Sequence, residues 1–211
     1  MMNHKIPLLL GALAISLASG CGATRPSKYY QLTVPGDLAP VTDPSPHPVT
    51  LLLGPLRASH LYREDHIVYS SNGESMGTYE FQRWAQPPTE MIQEILLREL
   101  RTSGKYREVD LLRSNARGDY LLHGRLFDFK EISGNALVAR FTVEWELRDM
   151  RTESTVWTHY YTHDEPVHRK DMSAVVEALN HNVQQIIGEV KSGLDQFFSA
   201  QQPTHNPAVN R

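Results

Sequence analysis

From residue 137 to residue 147 every second side chain is apolar. Leu137, Ala139, Phe141, Val143, Trp145 and Leu147 fall on one side, and Val138, Arg140, Thr142, Glu144, Glu146 and Arg148 on the other. Such a period of two predicts a strand with one dry and one mostly wet face. Strand-like segments flank it: Tyr120 to Phe129 before the Ser133-Gly134-Asn135 turn, and Thr155 to Thr162 after a turn near Thr152. Residues 120 to 162 therefore read as a three-stranded antiparallel meander. Further on the period becomes helical. Met172, Val175, Val176, Leu179, Val183, Ile186, Ile187, Val190, Leu194 and Phe197 recur at steps of one, three and four, with Asp171 placed to act as N-cap. This stripe predicts a long helix that covers the sheet. A coiled coil with a partner is the alternative, weakened by Gly188 and Gly193.

The first half of the chain is more broken. Tyr29 to Val34 has strand character, and five prolines between Pro35 and Pro48 predict a stiff surface connection. Val49 to Leu53 reads as a buried strand ended by Gly54-Pro55. His66 to Tyr69 and Thr78 to Phe81 read as two strands joined by a loop that begins with the hairpin signal Asn72-Gly73. Pro87-Pro88-Thr89 opens an amphipathic helix carrying Met91, Ile92, Ile95, Leu96 and Leu100, and Ser103-Gly104 closes it. Val109 to Leu112 is a short strand. The fold class expected is α+β: a single domain with a mostly antiparallel sheet covered by two amphipathic helices, the second long and C-terminal.

At the N-terminus His4-Lys5 precedes a run, Ile6 to Leu17, that is apolar apart from Gly11 and Ser16 and ends on Ala18-Ser19-Gly20 before Cys21. That is the layout of a secretory signal, too short to span a bilayer core of ~30 Å. Leu17-Ala18-Ser19-Gly20-Cys21 resembles the bacterial lipobox, although the family's usual leucine would stand where Ala18 is. The resemblance implies cleavage between Gly20 and Cys21 and acylation of Cys21. Two or more acyl chains anchor a protein durably, where one does so only marginally. The alternative is an exported protein cut nearby, with Cys21 a free thiol. By similarity to Gram-negative lipoproteins, Gly22 carries no aspartate signal for inner-membrane retention, so an outer-membrane lipoprotein facing the periplasm is implied. The expected organisation is residues 1–20 signal peptide, 21–28 tether, 29–200 folded domain and 201–211 disordered tail.

Composition narrows the function. Of the 211 residues, 21 are basic and 24 acidic. Loss of the first twenty removes Lys5 and no acid, leaving 20 basic side chains against 24 acidic ones. This mildly acidic balance argues against nucleic acid as a partner. Cys21 is the only cysteine, so its acylation would exclude disulfides, thiolate metal sites and cysteine nucleophiles. Gly73-Glu74-Ser75-Met76-Gly77 matches the G-x-S-x-G of serine hydrolases, which would make Ser75 a nucleophile. That elbow needs a helix after the serine, and Thr78 to Phe81 alternates like a strand. His159, His163 and His168 are the nearest histidine cluster and lack a zinc-binding spacing, so neither metal nor cofactor is expected. No phosphate-binding glycine loop is present in the sequence.

Several separated segments together resemble the ABC-type transport auxiliary lipoproteins, which include the paraquat-inducible protein C-like lipoproteins. They are Tyr29-Tyr30-Gln31-Leu32, Leu53-Gly54-Pro55-Leu56, Leu61-Tyr62-Arg63, His66-Ile67-Val68-Tyr69, Arg83-Trp84-Ala85-Gln86-Pro87 and Trp145-Glu146-Leu147-Arg148-Asp149, followed by the final helix. The likeness spans about residues 20 to 198 and departs from many members at Ala58-Ser59-His60 and at Gln86. It implies a non-enzymatic, outer-membrane-tethered accessory of an intermembrane lipid transport system. There an inner-membrane ABC transporter works with a mammalian-cell-entry (MCE) domain protein, which becomes the expected partner; a homo-oligomer is compatible with this role. Arg83 and Trp84 form the candidate partner interface, because exposed Trp and Arg are frequent binding hot spots. Against this stands the reading in which Trp84 caps the core and Arg83 pairs with an acid. Tyr29 and Tyr30 join the candidates as an edge strand that either seals the sheet or pairs with a neighbour. A general envelope scaffold, serving peptidoglycan or outer-membrane assembly, is the alternative function, and hydrolysis through Ser75 a remote one.

Overall fold

The computed structural model describes residues 25–33, 41, 43–71, 74–113 and 115–201. The signal segment, Cys21, the Asn72-Gly73 pair and the tail after Gln201 lie outside them. In chain order the elements are β1 (Lys28–Tyr30), β2 (His47–Ala58), a 3-10 turn (His60–Tyr62), β3 (His66–Ser71), β4 (Ser75–Trp84), α1 (Pro88–Thr102), β5 (Tyr106–Leu111), β6 (Tyr120–Ser133), β7 (Leu137–Asp149), β8 (Thr155–Pro166) and α2 (Met172–Gln201).

The alternating segment forms β7, the middle strand of the expected meander. It pairs antiparallel with β6 from Tyr120↔Asp149 to Ser133↔Leu137 and with β8 from Val138↔Pro166 to Arg148↔Thr155. Ala139, Phe141, Val143, Trp145 and Leu147 are all buried. The opposite face carries polar rungs between strands: Arg140 to Asp164, Thr142 to Thr162 at 2.8 Å, and His123 to Glu146 at 3.4 Å.

The other edge of β6 is shared. Residues 120–126 pair in parallel with β2, and residues 130–133 pair in parallel with β3. The sheet therefore forks into a β2–β5 wing and a β3–β4–β1 wing, giving eight strands in all. A register shift against β7 between Leu126 and Asp128 falls where the partner changes, as an irregularity must when one strand serves two neighbours. The three antiparallel ladders hold most of the paired length, and the four parallel ones hold the rest.

Several expected strand ends are displaced: β1 stops at Tyr30, β6 runs past Phe129 to Ser133, and β2 passes the Gly54-Pro55 pair and continues to Ala58. Pro55 lacks a donor, but here none is needed: pairing with β5 ends at Leu53↔Leu111, and the ladder to β6 breaks between Leu53 and Leu56.

Both helices cover one face, α1 on β2 and β5 and α2 mainly on β7 and β8. Pro88 sits in the first turn of α1, where its missing N–H costs nothing, and Met91, Ile92, Ile95, Leu96 and Leu100 point inward. Asp171 caps α2, its Oδ1 accepting the Ala174 N–H at 2.9 Å. That backbone bond holds the Asp171 carboxyl below its ordinary range. Most of the α2 stripe is buried as expected, but Met172 and Val176 are only partly buried, and Phe198 rather than Phe197 supplies the last buried ring. A 2.7 Å contact from Lys191 Nζ to Glu99 Oε2 ties the helices together. No helix among the described residues is long and apolar enough to cross a membrane.

Candidate functional site

Parallel pairing of β1 with β4 brings the four candidate interface residues side by side, with Tyr29 opposite Arg83 and Tyr30 opposite Trp84. Two short backbone bonds lock the junction, Ala85 N–H to Tyr30 O and Trp84 N–H to Asp65 O, both at 2.6 Å. The sheet edge is thus built from the first strand of the fold and the chain that leads into α1.

The four side chains have different fates. Trp84 is 1% exposed, with its ring centroid 5.4 Å from that of Phe129, so it is a core residue. The reading of Trp84 as an exposed hot spot is corrected on this point: at the end of β4 its side chain lies on the face that packs against Phe129 of β6. Arg83 is half-buried and donates from Nη1 to Asp65 Oδ1 at 2.9 Å, which fixes its guanidinium beside the edge. Tyr30 donates its hydroxyl to Gln82 Oε1 at 2.8 Å, and burial is the main cause of its raised pKa. Tyr29 is 64% exposed. What remains available to a partner is therefore Tyr29, on a three-residue edge strand, with the half-buried Arg83 opposite it on β4.

Ser75 begins β4 opposite Ser71, and the chain after it is strand as far as Trp84. The helix required behind a serine nucleophile is replaced by a strand, as the alternation of Thr78 to Phe81 implies. The histidines of β8 have structural partners. His159 lies between Trp157 and Tyr161, with ring centroids 5.7 and 4.3 Å away, and His163 Nε2 is 2.9 Å from Glu189 Oε1. His168, in the loop after β8, is exposed. Among the described residues no group of histidine, cysteine, aspartate and glutamate is arranged to hold a metal ion.

Sequence reading also passes over Glu131. It stops the strand at Phe129, whereas β6 runs on to Ser133 and turns Glu131 toward the helix side, 7% exposed, its Oε2 accepting the Tyr79 hydroxyl at 2.9 Å. The signal available was an acid, Glu131, two residues after Phe129 and so in phase with that apolar position of the strand.

The fold has solved relatives. Protein XCC0632 from Xanthomonas campestris superposes with a TM-score of 0.70 at 22% identity, over 82% of this chain and 98% of that one. A second crystal structure, of an uncharacterized protein, superposes with a TM-score of 0.63 at 12% identity, over 81% and 99% of the two chains. At these identities the likeness establishes the architecture alone. No curated protein matches the chain in sequence. The model of an accessory lipoprotein family matches from the end of β1 to two-thirds of the way along α2, residues 30–191, and on that match this chain belongs to the ABC-type transport auxiliary lipoprotein component family.

Proposed function

We propose that this protein is the outer-membrane-anchored, periplasmic accessory of an ABC/MCE-type intermembrane lipid transport system, and that it docks the distal end of the MCE conduit without turnover of its own. Family membership supports the accessory role, and Gly20-Cys21 supports the anchor. The observation that carries the docking reading is the edge at Tyr29. An exposed aromatic stands beside a guanidinium immobilised by Asp65, the residue types that dominate interface energetics. Tyr29 stands eight residues after Cys21, within ~26 Å of the acylated cysteine even for a fully extended tether. A partner gripping it is held close to the membrane.

The test is in-cell photo-crosslinking from position 29, with adducts identified by mass spectrometry and Cys21→Ala as the control for anchoring. A dominant MCE-protein adduct that weakens without the anchor is the expected result. Adducts confined to peptidoglycan-binding or outer-membrane assembly proteins would replace the conduit reading with the scaffold one.

A further inference from the structure

Behind the same edge, on the helix side of the sheet, a cleft of about 600 Å³ opens between β4, the β6–β7 turn and the first turn of α2. That volume lies within the range of small-molecule sites, ~300–1,000 Å³. Its lining holds charges of both signs that do not pair with each other. Glu131 lies at its wall, with one carboxylate oxygen on the Tyr79 hydroxyl and no cation within ion-pair distance among the described residues. Arg25 and Lys170 also line it, and neither has an acidic partner among the described residues; Arg25 instead lies 5.6 Å from the centroid of the Phe81 ring. Leu137, Met172 and Val175 supply an apolar wall.

A carboxylate that is nine-tenths buried with a single neutral donor is costly to keep unless a cation or further donors reach it. Burial and the bond to Glu131 push the Tyr79 pKa far up, so its hydroxyl stays protonated and remains a donor. Two unpaired cations nearby, one of them a guanidinium, suit a phosphate. The apolar wall suits the carbon skeleton next to such a head group.

We infer that this cleft binds a zwitterion in which an ammonium is joined to a phosphodiester, as in the head group of phosphatidylethanolamine, with Glu131 receiving the ammonium and Arg25 and Lys170 the phosphate. The inference deepens the lipid-transport reading and rests on it for the source of the ligand. Position supports a lipid source: Arg25 is four residues from Cys21, a span of at most ~13 Å. With Cys21 acylated, the mouth of the cleft stands at the head-group level of the membrane that holds the protein.

The full acylated chain in non-ionic detergent is titrated by calorimetry with three probes: short-chain phosphatidylethanolamine, short-chain phosphatidylglycerol and glycerophosphoethanolamine. Phosphatidylethanolamine is expected to bind about tenfold or more tightly than phosphatidylglycerol, since the ammonium adds a charge-assisted bond. Glu131→Gln, which keeps the shape and the bond from Tyr79, is expected to remove that preference. Lys170→Ala, an exposed change that leaves the core alone, is expected to weaken both lipids by a similar factor. Glycerophosphoethanolamine binding as tightly as the lipid would support the zwitterion site and make its source soluble. Equal affinity for the two lipids, or a preference untouched by Glu131→Gln, would overturn the inference. Crosslinking from position 29 reports separately on docking, so loss of the MCE adduct with retained head-group preference would sink the conduit reading and leave the cleft standing.

Discussion

Asn182 of α2 donates through Nδ2 to the main-chain oxygen of Ala139 in β7 at 2.9 Å, and both residues are completely buried. A second, longer bond from the same amide reaches His163 O in β8 at 3.4 Å. One side chain therefore sets the height of the long helix over two strands, a task that the surrounding aliphatic contacts, being non-directional, cannot perform. Asn182→Leu should lower stability by about 1–3 kcal/mol through the lost bonds and misfit. Asn182→Asp should cost more, because a carboxylate would then face carbonyl oxygens without a donor. Urea midpoints of the two variants test the order. An aspartate variant as stable as the leucine one at neutral pH would show that the helix position is not set here.

Trp84 and Tyr29 sit on adjacent strands of the same edge but have opposite roles. With Trp84 packed on Phe129, Trp84→Ala should cost ~3–5 kcal/mol, as large core truncations do. Tyr29→Ala removes an exposed ring and should leave stability within ~0.5 kcal/mol of the parent. Chemical denaturation separates the two. Crosslinking yield to the conduit should fall for Tyr29→Ala although the protein remains fully folded, and an unchanged yield would discard this edge as the docking surface.

Local pattern made β7, α1 and α2 readable, since each carries its own period and caps. Pairing on the second edge of β6 was not readable. Whether Leu121 or Lys130 meets β2 or β3 depends on how segments distant in sequence divide one strand between them, and no local period encodes that choice. Trp84 failed for a related reason: its burial is created by Phe129, from the far side of α1 and β5 in the sequence. Pro55 misled because a proline ends a strand only where a ladder bond is required. Glu131 was hidden by its neighbours, an inward-facing acid that simple alternation assigns to the end of a strand rather than to a cleft.

Two glycines should respond in opposite directions to alanine. Gly104 follows α1 with φ +65°, and a Cβ there would fall 1.8 Å from the Val41 carbonyl oxygen. Left-handed backbone and a rigid backbone clash together predict a loss of at least ~1–3 kcal/mol for Gly104→Ala. Gly188 lies on the solvent side of α2 with nothing within 4 Å of an added Cβ. Gly188→Ala should therefore stabilise by ~0.5–1 kcal/mol through helix propensity. Thermal midpoints that move the same way for both would contradict these placements.

On the uncovered face, Arg140 grips Asp164 with two bonds, Nε to Oδ1 at 2.7 Å and Nη2 to Oδ2 at 2.6 Å. The Arg140 bonds are the main reason that the Asp164 carboxyl lies below its ordinary range. An unfolded chain would hold that proton with a pKa of about 3.9, so in the window below this value the unfolded state binds more protons than the folded one. The stability this pair contributes is then complete above the unfolded value and is lost as pH falls through the depressed folded value. Partial exposure and salt screening keep the contribution small. Urea midpoints for the parent and Asp164→Asn, followed from about pH 7 down to about pH 2, should differ most at the neutral end and converge in acid. A gap that stays constant across that range would mean the aspartate acts through packing or its remaining hydrogen bonds, not through its charge on Arg140.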